Sequence, residues 1–206
     1  MQVLPISSNS IEEAIQIIRS GGVVAHPTDT CYGLTSNIFD SEAVKKVIDI
    51  KKMSSDKPIS IAVKNMEEME KYGILNAKAK TLAEKYLPGA LTFILPKTQN
   101  LPDTYFPNTN LIGIRVLDFS LMIQILERLE YPVTTTSANI TTIPEVYTAK
   151  DLVKMLENEK IKPDLVLSEE GTEYEGRDPQ KPSTIVKVVG DEILVLREGS
   201  IKITNL

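Results

Sequence analysis

Residues 27–34 read PTDTCYGL, and together with the apolar run Val23-Val24-Ala25 before them they decide the fold. A β-branched run that stops at a proline is typical of a buried strand that leaves its sheet. Two threonines, an aspartate and a tyrosine then follow within six residues. Hydroxyl and carboxylate groups at a strand end can bind a small polar ligand, and open α/β sheets usually place their ligands there. The alternative is an ordinary polar turn with Gly33 in the left-handed conformation.

Length and composition bound the class of protein. With 206 residues the chain predicts a single domain over 1–206, large enough to bury about 70% of its unfolded surface. Its net charge of −5 argues against a surface that binds nucleic acid in bulk, but it is compatible with a local basic cleft. Cys31 is the single cysteine, and no signal peptide is recognised, so we expect no intrachain disulfide and a cytoplasmic location. No apolar run approaches the ~20 residues of a membrane span, so no membrane association is expected.

His26 is the single histidine of the chain. A metal site built on a histidine cluster is therefore excluded. A Ser-His-Asp triad would have to use His26, and no G-x-S-x-G motif accompanies it. Its place at a strand end before Pro27 favours a structural role.

Helical and strand patterns alternate along the whole chain. A capping box from Ser10 to Glu13 predicts the start of a first helix, which Gly21-Gly22 ends. Further helices are predicted from residue 40 or 41, near 66–72 and 76–86, and over 120–130 and 149–160. Strands are predicted at 23–25, 59–63, 91–95, 112–116, 133–136, 165–167, 184–188 and 193–196, with long loops at 97–110 and 169–182. The alternation indicates an α/β domain with a mixed sheet.

Polar residues cluster where the predicted strands end. The clusters are Thr28–Tyr32, Ser137–Asn139, Ser183-Thr184 and Arg197. Arg115 lies inside an apolar strand, where an unpaired charge is costly to bury. It can form an internal ion pair with one of the 28 acidic residues, or clamp an anionic ligand with its planar fork. With Lys51 and Lys57 these groups predict a pocket for a small anion, although neither standard glycine-rich phosphate loop is present.

From about residue 8 to 200 the chain resembles the YrdC-like threonylcarbamoyl-adenylate synthases. The matching segments appear in the family's order and are GGVV at 21–24, PTDTCYGL at 27–34, LPGALT at 87–92, GIRV at 113–116, SAN at 137–139, PSTIV at 182–186 and LREG at 196–199. The resemblance implies an α/β (α+β) fold, with a twisted mixed sheet flanked by helices around a concave ligand pocket.

The same resemblance implies an ATP-dependent nucleotidyltransferase of tRNA processing. It joins L-threonine, bicarbonate and ATP into threonylcarbamoyl-adenylate and pyrophosphate, and the activated group later reaches adenosine 37 of tRNA. By position, the threonine contacts correspond to Thr30, Arg115, Thr135 and Ser183. The ATP side corresponds to Lys51, Lys57, Ser137, Asn139 and Arg197. Mg²⁺ is expected with the triphosphate, without ligands from protein side chains. Possible further partners are tRNA or the threonylcarbamoyl-transfer machinery, and no residue is assigned as the catalytic group.

The chain departs from the family pattern in three places, two of which are Ala62, where a histidine is often found, and residues 140–143, where a Ser-Gly usually follows the SAN segment. The Lys-x-Arg signature reads Lys51-Lys52-Met53, so a methionine stands where an arginine is expected, as in a divergent branch. Losing one charge-assisted contact to phosphate costs about 1.5–3 kcal/mol, which Lys52 could offset by reaching across. Three hypotheses therefore stay open: an active synthase, a binding module that holds a nucleotide or RNA in a basic groove without turnover, and a carbamoyl-adenylate enzyme with another acceptor.

Overall fold

A computed structural model describes residues 1–54, 59–101, 109–174 and 181–204. Within these ranges the chain forms ten strands and six helices. The strands are β1 Gln2–Pro5, β2 Val24–His26, β3 Gly33–Thr35, β4 Ser60–Ala62, β5 Leu91–Pro96, β6 Leu111–Arg115, β7 Val133–Ser137, β8 Leu165–Ser168, β9 Thr184–Val189 and β10 Glu192–Arg197. The helices are α1 Ser8–Arg19, α2 Ser41–Lys51, α3 Met66–Tyr72, α4 Ala77–Tyr86, α5 Ser120–Leu129 and α6 Ala149–Met155. None of the helices in these ranges has the length and apolar character needed to cross a membrane.

The strands form one mixed sheet in the order β1-β8-β2-β3-β7-β4-β6-β5-β9-β10. Parallel pairs join β1 to β8, β8 to β2, β4 to β6 and β5 to β9, and the other neighbours are antiparallel. The predicted mixed α/β class is confirmed. Strands 2 and 3 are a hairpin in which His26 lies opposite Gly33, so residues 27–32 are its connecting loop.

Two apolar cores lie on opposite faces of the sheet. Successive strand residues point to opposite faces, and Ile61 and Ala62 belong to different clusters of buried side chains. The first core contains the buried faces of α2, α4 and α6. The second contains those of α1 and α5, which pack against each other. The central strands are thus fixed from both sides, and their register determines which polar residues meet.

Two predicted helix boundaries were wrong, and two strands, β1 and β3, were not predicted. Helix α1 begins earlier, because its N-cap is Ser7 and the capping box pairs Ser7 with Ser10 instead of Ser10 with Glu13. Ser10 is buried, and its hydroxyl donates to the carbonyl of Pro5 (2.8 Å). Helix α6 ends at Met155 instead of extending to residue 160, since the chain turns back after the fully buried Leu156. Strand β1 was not predicted, because four mostly exposed residues that end in a proline carry little pattern.

Gly33 does not occupy a left-handed turn, contrary to one of the two initial interpretations. It is the first residue of β3, is buried, and its φ is not positive. A Cβ atom at this position would lie 3.2 Å from Cγ2 of Thr28, so the missing side chain makes room for the loop above it. Residues 27–32 together form the turn between β2 and β3.

His26 has the structural role that its position favoured. It is 2% exposed, its Nδ1 lies 2.8 Å from the carbonyl oxygen of Pro27, and its Nε2 lies 2.7 Å from Oγ1 of Thr35. Because a carbonyl can only accept, the neutral ring carries its proton on Nδ1 and accepts from Thr35. Burial lowers its pKa from 6.5 to about 4. The ring therefore ties the start of the 27–32 loop to β3.

Candidate functional site

A cavity of about 150 Å³ lies where the 27–32 loop meets the middle of the sheet. Its lining includes six of the nine predicted site residues, namely Thr30, Arg115, Thr135, Ser137, Ser183 and Arg197. Lys51 and Asn139 lie outside the lining, and Lys57 lies outside the described residues. Strand pairing explains the convergence, since Ser60 is opposite Thr135 and Thr92 is opposite Ile185, and all four line the cavity.

Arg115 is the centre of the charged part of the cavity. It ends β6 and is 6% exposed. Its Nη2 donates to Oδ1 of Asp29 (2.7 Å), and its Nη1 donates to Oγ1 of Thr30 (3.1 Å). Arg115 therefore fits both interpretations: it forms an ion pair with an acidic residue, and it also borders the cavity in which an anion could bind. Its Nε and Oδ2 of Asp29 are buried without a hydrogen-bond partner among the described residues.

The 27–32 loop is held by its own hydroxyl groups. Oγ1 of Thr28 donates to the carbonyl of Cys31 (2.7 Å) and accepts from the amide of Thr30 (3.0 Å). Tyr32 is 1% exposed, and its hydroxyl donates to the carbonyl of Leu167 (3.0 Å) and to the carboxylate of Glu169. Burial and the neighbouring Glu169 carboxylate raise the pKa of Tyr32 well above its ordinary value. These contacts fix Thr30 against Arg115.

Ser183 and Arg197 form the opposite wall. Oγ of Ser183 lies 2.8 Å from Oγ1 of Thr92, and Arg197 donates from Nε to the Ser183 carbonyl (3.0 Å) and from Nη2 to the Ser183 hydroxyl (3.2 Å). Both serine and threonine hydroxyls can accept or donate, so this wall presents adaptable hydrogen-bonding groups next to a fixed cation.

Lys51 is placed beneath the 137–139 turn. It is 4% exposed, and its Nζ donates to the carbonyl of Asn139 (2.9 Å), to the hydroxyl of Ser137 (3.3 Å) and to the Ser137 carbonyl. Burial lowers its pKa to about 8, although Cys31 and Glu145 oppose this. The side-chain amide of Asn139 likewise donates hydrogen bonds to the carbonyls of Ile140 and Ile143. Both residues shape the turn that presents Ser137, a relation that the sequence did not reveal.

Lys52 and Met53 do not line the cavity. Nζ of Lys52 lies 2.8 Å from Oε1 of Glu159, so its charge is not available to replace an arginine at residue 53. Met53 packs against the first apolar core, as a residue at a helix end can. Because Lys51 is buried and Lys52 is paired elsewhere, neither of these two lysines lines the basic groove of the RNA-binding hypothesis.

Sequence reasoning missed several residues of the site, which are Asp29, Ser60, Thr92 and Glu145. The sequence could have suggested Asp29 as the partner of Arg115, because a buried arginine in a strand requires an acid and the 27–34 octapeptide contains one. The other three carry no local signal, since a single polar residue in a strand or loop is ordinary. The register of the sheet brings Ser60 and Thr92 to the cavity, and the segment that follows the 137–139 turn brings Glu145.

The 199–201 segment holds Ser183 in place, and Gly199 is its tightest point. The amide of Gly199 donates to Oγ1 of Thr184 (3.0 Å), and the amide of Ser200 donates to the carbonyl of Pro182 (2.9 Å). A Cβ atom on Gly199 would lie 2.0 Å from the Pro182 oxygen and 2.6 Å from the Thr184 nitrogen. The backbone at Gly199 is therefore in direct contact with the backbone of residues 182–184.

Gly199→Ala is expected to lower the free energy of unfolding by about 2 kcal/mol, because backbone atoms must move apart. Urea denaturation measures the loss. The matched control is Gly190→Ala, where the new Cβ would meet no atom within 4 Å and only the positive φ of 56° opposes it, at about 1 kcal/mol. Equal losses in the two variants would show that the Gly199 contact is not tight.

The chain is similar in sequence to several known proteins. The family model for Sua5, YciO and YrdC proteins, described as telomere recombination, matches residues 16–199. A protein of Methanocaldococcus jannaschii named "Putative threonylcarbamoyl-AMP synthase" is 39% identical over 195 residues, which is 92% of this chain and 85% of that protein. The threonylcarbamoyl-AMP synthase of Pyrococcus abyssi is 33% identical over 135 residues, 65% of this chain and 40% of that protein.

Two solved structures are similar over almost all of the chain. The crystal structure of P. abyssi Sua5 complexed with L-threonine has a TM-score of 0.82 at 27% identity and covers 96% of this chain and 56% of that one. The crystal structure of Escherichia coli YciO has a TM-score of 0.82 at 26% identity and covers 96% of this chain and 93% of that one. This chain thus spans a little over half of that Sua5 chain and nearly all of YciO.

Proposed function

This chain belongs to the Sua5/YciO/YrdC family, and we propose from this that it is a threonylcarbamoyl-AMP synthase. In this reaction the amine of L-threonine attacks the carbon of bicarbonate and water leaves. An oxygen of the resulting carbamate then attacks the α-phosphorus of ATP and displaces pyrophosphate. The observation that carries the proposal is the cavity in which Arg115 and a group of hydroxyls meet. It occurs in a fold that, in Sua5 of P. abyssi, was crystallised with L-threonine.

The threonine side of the proposed site uses Arg115, Thr30, Thr135 and Ser183. Arg115 has five N–H groups, of which Asp29 and Thr30 occupy one each. The remaining N–H groups can bind the carboxylate of the amino acid in the fork geometry that guanidinium favours. Asp29 fixes the orientation of that fork, and the three hydroxyls supply partners for the substrate's own hydroxyl.

The nucleotide side uses Ser137 and Arg197 on the cavity wall. Lys51 and Asn139 act on the nucleotide through the 137–139 turn that they hold. Lys57 remains a predicted phosphate contact. We include Mg²⁺ as the partner of the triphosphate, whose oxygens would be its main ligands.

Such a site would work chiefly by alignment and by screening of charge. Holding the carbamate oxygen next to the α-phosphorus replaces a bimolecular step by one within the complex. Fixed cations such as Arg197 stabilise the charge that develops on the phosphates. We place the product in tRNA modification, with transfer of the threonylcarbamoyl group to adenosine 37 by other proteins.

Pyrophosphate release tests the proposal directly. The purified protein with ATP, Mg²⁺ and bicarbonate is expected to release pyrophosphate only when L-threonine is added. Met53→Arg serves as the informative variant, since it restores the family's Lys-x-Arg pattern. Release from the variant alone would mean that the natural protein binds without turnover, and no threonine-dependent release from either folded protein would reject the synthase.

A further inference from the structure

We propose that Glu145 is a specificity-determining residue that binds the ammonium group of the amino acid substrate. The cavity would then recognise a zwitterion through charges of both signs, with Arg115 taking the carboxylate and Glu145 the ammonium. This inference rests on the proposed threonine site and adds a residue that neither the sequence patterns nor the family motifs point to.

Glu145 lines the same cavity as Arg115 and Thr30. It comes from residues 140–148, the segment between the 137–139 turn and α6, and it is half-buried. Within the described parts of the chain no side chain forms a hydrogen bond or an ion pair with its carboxylate. A carboxylate that faces a cavity without a partner calls for a cation from the ligand.

Among the described residues, the basic groups at or near the cavity have other partners. Lys51 is close enough for Glu145 to raise its pKa, but its three donors go to Ser137 and Asn139. Arg115 is paired with Asp29, and Arg197 donates to Ser183. Glu145 therefore lines the cavity without an ion-pair partner from the described ranges, and its negative charge would repel a second anion and attract an ammonium group there.

Cys31 shows that the two charges border the same small space. Burial raises the pKa of its thiol most, while Arg115 lowers that pKa and Glu145 raises it, so both charges act on this one atom of the cavity wall. In an α-amino acid a single carbon atom separates the carboxylate from the ammonium group. Both can be bound together only if the two protein charges border one small cavity, as they do here.

A divalent cation is the other ligand that one carboxylate could help to hold. Mg²⁺ commonly uses one or two carboxylates together with substrate phosphates. The ammonium is favoured because the pocket has both a guanidinium and an opposing carboxylate next to the hydroxyls assigned to threonine. The experiment separates the two ligands by omitting nucleotide and metal.

Calorimetric titration of the full chain compares L-threonine with (2S,3R)-2,3-dihydroxybutanoate, in which a hydroxyl replaces the ammonium. Glu145→Gln is expected to weaken L-threonine binding by about 10- to 100-fold, the range for one charge-assisted contact, and to leave binding of the dihydroxy acid unchanged. Glu170→Gln, at an exposed acid in the 169–174 segment, is expected to change neither affinity. Glu145→Ala repeats the test with a second side chain.

Equal L-threonine affinity in the natural protein and in both Glu145 variants would overturn this inference and leave the threonine site intact. A loss confined to binding of ATP with Mg²⁺ would overturn it in favour of a metal contact. Absence of L-threonine binding by the natural protein would overturn the proposed function itself, so the two failures are distinguishable.

Discussion

Replacing Arg115 with alanine is expected to abolish measurable L-threonine binding and to lower the free energy of unfolding by about 3–5 kcal/mol. Asp29 would remain buried with a charge and no partner, since the two side chains are 9% and 7% exposed and are paired at 2.7 Å. Breaking a buried pair on one side leaves an uncompensated charge, which accounts for the size of the effect. Urea denaturation measures the stability, and calorimetric titration with threonine measures the binding.

Stability and binding can be separated by removing both partners. In a variant with Arg115→Met and Asp29→Leu no buried charge remains, so most of the lost stability should return. Threonine binding should stay absent, because the fork that takes the carboxylate is gone. Lys80→Ala serves as control, since Lys80 pairs with Glu70 on the surface and such pairs contribute under about 1 kcal/mol. Threonine affinity that survived Arg115→Ala would remove this arginine from the site.

The 27–34 octapeptide shows what sequence can predict about this site. A strand that stops at a proline and is followed by hydroxyls predicted polar groups at the end of a strand, and the loop indeed forms part of the cavity wall. Arg115 required an acid, but Asp29 is 86 residues away along the chain, and local patterns carry no information about such a pairing. That choice is made by the register of β4, β6 and their neighbours.

Lys51 shows where local reasoning fails. A lysine at the end of an amphipathic helix is usually solvated or faces a ligand, yet here three acceptors of the 137–139 turn lie over it. The acceptors come from a segment more than 80 residues later, and two of them are backbone carbonyls, which have no signature in the sequence. Glu145 was missed for a similar reason, because one acid in an irregular segment is ordinary until the fold places it beside Arg115.

His26 is expected to make stability fall on acidification by about 3 kcal/mol. Its pKa in the folded protein is about 4, below the 6.5 of an unfolded histidine, because burial disfavours the charged ring. The unfolded chain therefore takes up a proton first as the pH falls. The stabilisation is complete above pH 6.5 and is lost as the pH falls from 6.5 to 4, at about 1.4 kcal/mol per unit of pH.

His26→Gln isolates this contribution, since glutamine retains polar atoms without titrating. The difference in free energy of unfolding between the natural protein and the variant should shrink by about 3 kcal/mol between pH 6.5 and pH 4, while the carboxylates common to both cancel. A difference that does not change with pH would show that His26 titrates normally and is not buried as described. Because the ring ties Pro27 to Thr35 at the base of the loop that carries Thr30, L-threonine affinity should weaken only as the pH falls to about 4, where the folded protein's ring takes up its proton, and should weaken less in the variant.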